Sequence, residues 1–126
     1  MDSMIKINES DIPYKFDNVS GPKYLLNGPL SDFGLLIVLP GQSLPTHYHD
    51  HVEENFYVLE GAIEIHINDN VLNLIPGDLA HLPPKHPHYL VNKGETACKM
   101  IFIKSPHDEN DKIEINWKPG DPILNL

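Results

Sequence analysis

The chain has 126 residues, a formal net charge of −9, 12 prolines and one cysteine. This length suits one domain with one buried core, and proline disfavours helix interiors, so the composition favours a β protein with many turns. The negative charge excludes nucleic acid and anionic membrane surfaces as expected partners, and no apolar run is long enough to span a bilayer.

The sequence of residues 1–30 predicts an N-terminal arm or edge strands. It contains no motif typical of a catalytic or binding site. Met4–Ile7 and Pro22–Leu26 are short strand candidates on either side of the turn-rich segment Asp17–Gly21. Such an arm either packs on its own domain or exchanges with a second subunit. The N-terminus lacks the basic and apolar regions of a signal peptide, and the lone Cys98 forms no internal disulfide, so we expect a cytoplasmic protein.

Apolar segments alternate with turns through the rest of the chain, and none has a helical apolar period. Gly61 suits a tight connection between two strands because glycine adopts positive φ freely. About nine strands with turns between them predict one all-β domain over residues 1–126, a sandwich or barrel. Beyond the first thirty residues, the predicted strands are Phe33–Leu39, Phe56–Glu60, Ala62–Ile67, Val71–Ile75, Leu79–Leu82, His88–Val91, Thr96–Ile103 and Ile113–Trp117.

The segment Gly41–Gly61 concentrates residue types that bind metal ions. Because a strand sends every second side chain to one face, His47 and His49 can point at one ion. A bend at Asp50–Glu53 would bring Glu54 to the same place. The residues of this cluster are His47, His49, His51, Glu53 and Glu54.

Glu53 and Glu54 compete for the role of the carboxylate ligand. We favour Glu54, because the residues that share its face are apolar and would form a pocket floor. Tyr57 and Leu59 then face outward, where the N-terminal strand or a partner subunit would cover them. Glu54 is also the expected catalytic residue, since a carboxylate ligand can swing away from the ion and accept a substrate proton.

A second cluster, Gly77–Asn92, supplies His81, His86 and His88. Together the two segments, 41–92, resemble the cupin family of small conical β-barrels with a metal ion near the centre. The first cupin motif is filled by Gly41, His47, His49, Glu54 and Gly61. The second is filled by Gly77, Pro83, His88 and Asn92, with Lys85 in place of its inner glycine.

The resemblance implies a single-domain antiparallel β-barrel or jelly roll, a homodimer, and metal ligands His47, His49, Glu54 and His88. Three imidazoles and one carboxylate suit one divalent transition metal, Fe, Mn, Ni, Cu, Co or Zn, better than Ca or Mg. On a six-coordinate ion, four protein ligands leave two positions for water, substrate or dioxygen.

The remaining histidines have less defined roles. His51 is a ligand, a proton shuttle or, as we favour, a solvated loop residue. His81 is expected to face outward, His86 to lie near the pocket mouth, and His66 and His107 to lie on the surface.

The expected substrate pocket is partly apolar and would suit an aromatic small molecule. Leu35 and Ile37, or their alternate-face neighbours, would complete its walls. The main pocket residues are Phe56, Val58, His86, Met100 and Phe102.

Three functions fit these features. The first is a metal-dependent enzyme on a small organic molecule, of dioxygenase type. The second is a sugar or sugar-acid isomerase or lyase, whose pocket should carry Arg or Lys for a carboxylate; the chain contains no Arg. The third is a module that binds a metal or small molecule without turnover.

Overall fold

The computed structural model describes residues 4–126, so the first three residues of the predicted arm lie outside the described part. Ten β-strands and one 3₁₀ turn, Glu9–Asp11, form the regular structure of this part. Among these residues, no helix is long and apolar enough to cross a membrane. The strands are β1 (Gly21–Asn27), β2 (Asp32–Val38), β3 (Ser43–His49), β4 (Glu53–Glu60), β5 (Ile63–Ile67), β6 (Asn70–Leu74), β7 (Leu79–Leu82), β8 (His88–Val91), β9 (Cys98–Ser105) and β10 (Lys112–Glu114).

The strands form two five-stranded antiparallel sheets. One has the order β1-β2-β9-β4-β7 and the other the order β10-β3-β8-β5-β6. Two sheets of this kind bury their facing sides against each other, as in a jelly roll. The predicted all-β antiparallel fold is therefore confirmed, and β3 and β4, which carry the first cluster, belong to opposite sheets.

The core lies between the sheets and follows the two-residue alternation of the strands. On β4, for example, Phe56 and Val58 are buried while Tyr57 between them is exposed. Removal of apolar side chains from water between the two sheets is the main source of stability for such a domain. The innermost apolar side chains come from both sheets and include Val38, Val58, Ile65, Leu82, Leu90 and Met100.

The predicted strand boundaries agree with the structure for β7 and β8 but not for the N-terminal segment. Leu79–Leu82 and His88–Val91 coincide with β7 and β8. Gly61 has φ +75°, and a Cβ there would lie 2.3 Å from the carbonyl oxygen of Ala97, so the turn between β4 and β5 requires glycine. The predicted strand Met4–Ile7 is wrong: these residues form no strand, because no neighbouring strand pairs with them.

The N-terminal segment packs on the first sheet through Lys23 and Lys99. Lys23 Nζ donates a hydrogen bond to the carbonyl of Glu9 (2.7 Å) and lies 4.2 Å from the ring centre of Tyr14. Lys99 Nζ donates to the carboxylate of Glu9 at 3.1 Å. The arm therefore covers β1 and the start of β9, and Lys99 is held by it rather than solvated.

Tyr57 and Leu59, on the outer face of β4, are not covered in the single chain. Their exposed fractions are 40% and 38%. The N-terminal strand was one expected cover, but the N-terminal arm contacts other strands instead. The homodimer implied by the family resemblance stays a prediction.

Thr46, on the ligand-bearing strand β3, links that strand to the C-terminal segment. It is buried, and its Oγ1 donates a hydrogen bond to the carbonyl of Trp117 at 2.7 Å. We expect Thr46→Val to lower the free energy of unfolding by about 1–3 kcal/mol, because it leaves that carbonyl without its partner.

Chemical denaturation checks this prediction. Thr96→Val is the matched control, since Thr96 lies exposed in the turn before β9, and its effect is expected to stay within about 0.5 kcal/mol. Equal stabilities of the two variants would contradict the prediction.

Candidate metal centre

The four predicted ligands meet at one end of the two sheets. His47 and His49 end β3, and His88 begins β8, directly opposite His47 in the strand register. Glu54 is on β4, in the other sheet, and its side chain is buried. The site therefore joins the two sheets across the core.

A bend at Asp50–Val52 carries the chain from one sheet to the other, as the sequence predicted. The carboxylate of Asp111 accepts hydrogen bonds from all three backbone N–H groups of this bend, at 2.9–3.1 Å. Asp111 is itself buried, and these bonds lower the pKa of its carboxyl although burial opposes them. The sequence analysis did not identify Asp111, since 57 or more residues separate it from the ligands it supports.

The ligand atoms converge on Glu54. Its Oε1 lies 3.1 Å from Nε2 of His88, 3.4 Å from Nε2 of His49 and 3.6 Å from Nε2 of His47. The Nε2 atoms of His47 and His88 are 3.1 Å apart. The ligand atoms of His47, His49 and Glu54 all lie within 4.8 Å of one another.

Two of the imidazoles are oriented by backbone carbonyls. Nδ1 of His88 lies 2.9 Å from the carbonyl oxygen of His86, and Nδ1 of His47 lies 3.2 Å from that of Pro45. When Nδ1–H donates to a carbonyl, Nε2 of the neutral ring presents a lone pair. Both lone pairs then face the carboxylate of Glu54. A cation between these groups would be attracted by all of them.

The electrostatics favour ligand protonation states. Burial, helped by repulsion from His88, lowers the pKa of His47 despite the carboxylate of Glu54. Burial alone would raise the pKa of Glu54, but the imidazoles of His47, His49 and His88 outweigh it and lower that pKa well below its usual range. Neutral imidazoles and an ionised carboxylate are the forms that bind divalent metals.

His49 provides the test of whether a metal ion fits this site. Its imidazole is buried, yet neither Nδ1 nor Nε2 has a hydrogen-bond partner among residues 4–126. A buried polar group without a partner is costly, and few native side chains remain so. A cation held by the four side chains would satisfy Nε2 of His49, so the donor set fits a divalent transition metal.

Lys85 takes the place of the inner glycine of the second motif without changing the turn. It adopts φ +67°, a left-handed conformation that glycine adopts more readily. Its backbone N–H donates to the carbonyl of His49 at 2.7 Å, which connects the two motif segments. The departure from the motif therefore leaves His88 in position.

A cavity of about 230 Å³ opens beside the metal centre. His47, His49 and Glu54 lie at its wall, so a ligand in the cavity would reach the ion. The walls are largely apolar, with contributions from Tyr24, Leu36, Leu44, Phe56, Leu90 and Phe102.

The predicted pocket residues divide into two groups. Phe56 and Phe102 line the cavity. Val58 and Met100 share their faces but lie deeper, fully buried in the core and away from the cavity. His86 is exposed and does not line it; its Nδ1 lies 2.9 Å from the carbonyl oxygen of Pro84. On β2, the wall residue is Leu36, the alternate-face neighbour of Leu35 and Ile37.

The cavity also contains lysine side chains, which the sequence analysis did not place there. Lys104 lies on β9 directly opposite Glu54, so both side chains occupy the same face of the sheet. Its ammonium contacts the hydroxyl of Tyr24 on β1. Lys15 and Lys112 line the cavity as well and are exposed.

The remaining histidines lie outside the metal centre. His51 is exposed, with Nε2 2.7 Å from a carboxylate oxygen of Asp108 and Nδ1 3.0 Å from one of Asp111, so it is a loop residue held by two acidic side chains. Asp50, His51 and Asp111 lie close together, but the oxygens of Asp111 already accept three backbone hydrogen bonds. His81 faces outward as predicted.

Two histidines predicted to lie on the surface do not. His66 is buried, with Nε2 3.0 Å from the carboxylate of Glu64 and its ring packed edge-on against Tyr89. His107 is partly buried, with Nδ1 2.7 Å from the carboxylate of Asp32. The surface prediction was wrong for both because neighbouring side chains cover these rings.

Cys98 lies apart from the metal centre, in the core. Its side chain is fully buried, and burial raises the pKa of the thiol to about 11. The thiol is therefore protonated at neutral pH and is a packing residue of β9 rather than a ligand.

Comparison with known proteins supports this architecture. Residues 34–104 match the family described as "Cupin domain". The chain is 34% identical over 80 residues to "Polyketide synthase CurC" of Streptomyces cyaneus, which covers 63% of this chain and 52% of that protein. It is 26% identical over 117 residues to "Quercetin 2,3-dioxygenase" of Bacillus subtilis, covering 82% and 34%.

Among solved structures, a Klebsiella pneumoniae protein with a double-stranded β-helix domain is similar, with TM-score 0.76 and 20% identity. The similarity covers 92% of this chain and all of that chain. At this identity it shows a shared fold. The chain spans about half the length of the curated relatives it matches.

Proposed function

Since the chain belongs to the cupin family, we propose that it is a metal-dependent enzyme that acts on a small organic molecule by dioxygenase-type chemistry. One observation carries the proposal: four potential ligands converge beside a cavity large enough for a small molecule. Buried ligands that meet a pocket are typical of a reaction site, whereas a structural zinc site has no open position.

The proposed ligands are His47, His49, Glu54 and His88. When bound, a divalent transition metal supplies Lewis-acid chemistry, and iron, manganese, nickel or copper also supply redox chemistry. The carbonyls that accept from Nδ1 of His47 and His88 fix the orientation of these rings. The backbone therefore holds two of the four donors with Nε2 directed at the ligand cluster.

Glu54 is the proposed proton acceptor as well as a ligand. Among the three imidazoles its pKa lies well below the usual range, so in this position its oxygens are weakly basic. Movement away from the imidazoles would remove the interactions that lower the pKa, and Oε1 could then accept a substrate proton. The buried surroundings would raise the basicity of the displaced carboxylate further.

The cavity walls are the proposed binding surface for the apolar part of the substrate. Phe56 and Phe102 occupy adjacent strands opposite each other in register and present aromatic surface to the cavity. Leu36 and Leu90 add aliphatic surface from β2 and β8. Such walls exclude water and favour a partly apolar or aromatic molecule, as in many ligand pockets.

A second candidate function is isomerisation or elimination on a sugar acid without redox change. Lys104 is the observation that favours it, because a pocket for a sugar acid should contain a cation for the carboxylate. The sequence contains no Arg, and Lys104 supplies that charge instead.

Metal content and oxygen uptake together distinguish the two candidates. We expect protein purified without added metal to contain iron, manganese, nickel or copper by elemental analysis. We also expect it to consume oxygen with at least one member of a panel of catechols, flavonols and diketones. Zinc as the bound metal, with no oxygen uptake for any compound, would contradict the dioxygenase proposal and favour the sugar-acid candidate.

A further inference from the structure

We propose that Lys104 and Tyr24 form a carboxylate-binding subsite, so that the substrate of this cavity is a small organic acid. The inference deepens the proposed function and rests on it for the identity of the cavity as the substrate site. It adds a substrate class that the four ligands do not specify.

Lys104 is placed where it meets a ligand of the metal centre. It lies between Asp32 on β2 and Glu54 on β4 in the strand register, on the cavity side of the sheet. The carboxylate of Asp32 is occupied by the N–H of Gly28 and by His107. The carboxylate of Glu54 is surrounded by the three imidazoles.

Lys104 consequently forms no salt bridge with any residue in the described range 4–126. Its ammonium contacts the hydroxyl of Tyr24 and lies 4.8 Å from the ring centre of Tyr24 and 5.9 Å from that of Phe102. Aromatic rings attract a cation but leave its charge without a counterion. In a chain of net charge −9, a partly buried lysine without an acidic partner is available for an anionic ligand.

The hydrogen-bonding pattern of the pair also suits a carboxylate. An ammonium group only donates, so the oxygen of Tyr24 accepts from Lys104 and its own proton remains free. The pair therefore offers the phenolic O–H and the remaining ammonium N–H groups to a ligand. A carboxylate accepts from both donors at once, whereas a neutral amide offers one acceptor oxygen.

Packing holds Tyr24 in this orientation. Its ring lies edge-on to Phe102 with 5.0 Å between centres, and Tyr24 is opposite Gly34 in the register of β1 and β2. A Cβ at Gly34 would lie 2.4 Å from the ring of Phe102, so glycine is required for this packing. Lys15, also at the cavity, adds positive charge that would attract an organic acid, whereas the charge of Lys112 is paired with Glu114 at 3.7 Å.

Benzoate and benzamide, which have similar shapes but differ in charge, test the subsite. We expect calorimetric titration of the metal-containing protein to show benzoate binding at least about tenfold tighter than benzamide. Lys104→Met should reduce this ratio to near one, and Tyr24→Phe should reduce it partly. Lys93→Met is the matched control, because Lys93 is an exposed lysine paired with Glu64, and it should leave the ratio unchanged.

Metal content measured on the same samples separates this proposal from the proposed function. A benzoate preference that depends on Lys104 supports the subsite whether or not metal is present, whereas a protein without metal contradicts only the proposed function. Equal binding of the two probes, no benzoate binding, or a preference that persists in a folded Lys104→Met variant would overturn the subsite.

Discussion

Replacing His88 with alanine is expected to lower the affinity for a divalent transition metal at least about a hundredfold, since changes outside the ligand set already cost about 10–100-fold. Nε2 of His88 is 3.1 Å from both Glu54 and His47, so its loss removes one donor and one contact of each neighbour. Elemental analysis after dialysis, followed by competition with a chelator, measures the effect.

His86→Ala is the matched control for this prediction. His86 lies two residues away, before β8, but it is exposed and its Nδ1 lies 2.9 Å from the carbonyl oxygen of Pro84. We expect it to retain the metal content of the wild-type protein. His88→Gln keeps a polar side chain of similar length, so a loss of metal from both folded His88 variants would not reflect an empty space in the core.

Full metal occupancy in a folded His88→Ala protein would remove His88 from the ligand set. Loss of metal from His86→Ala to the same extent would show that the loop before β8, rather than one imidazole, determines the affinity. Circular dichroism spectra and unfolding midpoints of all three variants provide the test of folding that both conclusions require.

The four candidate ligands could be grouped from the sequence because they lie within two short segments. The alternation of β3 brings His47 and His49 to one face, and the motif spacing places Glu54 and His88 nearby. The ligand atoms of His47, His49 and Glu54 lie within 4.8 Å of one another, and Nε2 of His88 lies 3.1 Å from both His47 and Glu54. Their role as ligands stays a prediction until metal content is measured.

The pocket was predicted less well, because alternation gives the face of a residue and not its depth. Val58 and Met100 share a face with Phe56 and Phe102, but the facing sheet covers them. The same alternation along β9 places Lys104 on the strand face that Met100 and Phe102 share. It was missed because β9 was expected to end at Ile103, whereas the strand continues to Ser105.

Contacts between distant segments could not be predicted from local patterns. The C-terminal segment illustrates this limit, since Asn68 exchanges two hydrogen bonds with the backbone of Leu124. His66, on the strand before that turn, is buried although it lies on the same strand face as the polar residue Glu64. Nothing in the residues around position 68 indicates that Leu124 pairs there.

Asp111→Ala is expected to lower the free energy of unfolding by about 2–4 kcal/mol, because three backbone N–H groups lose a charged acceptor. The bend that it supports lies between His49 and Glu54, so a loosened bend also lets the two ligands separate. We therefore expect metal affinity to fall at least about tenfold, as for other residues that orient ligands. Urea denaturation of the metal-free protein and chelator competition measure the two effects separately.

Asp108→Ala distinguishes support of the bend from the ion pair with His51. Asp108 contacts Nε2 of His51 at 2.7 Å, and this pair is largely exposed, so its loss should change stability by less than about 1 kcal/mol. Asp111→Asn keeps one acceptor oxygen and should fall between the wild-type protein and Asp111→Ala in both measurements. If Asp111→Ala is destabilised but binds metal as tightly as the wild-type protein, Asp111 supports the fold alone. In that case the positions of His49 and Glu54 are set by the pairing of His49 with Lys112 on β10 and of Glu54 with Lys104 on β9.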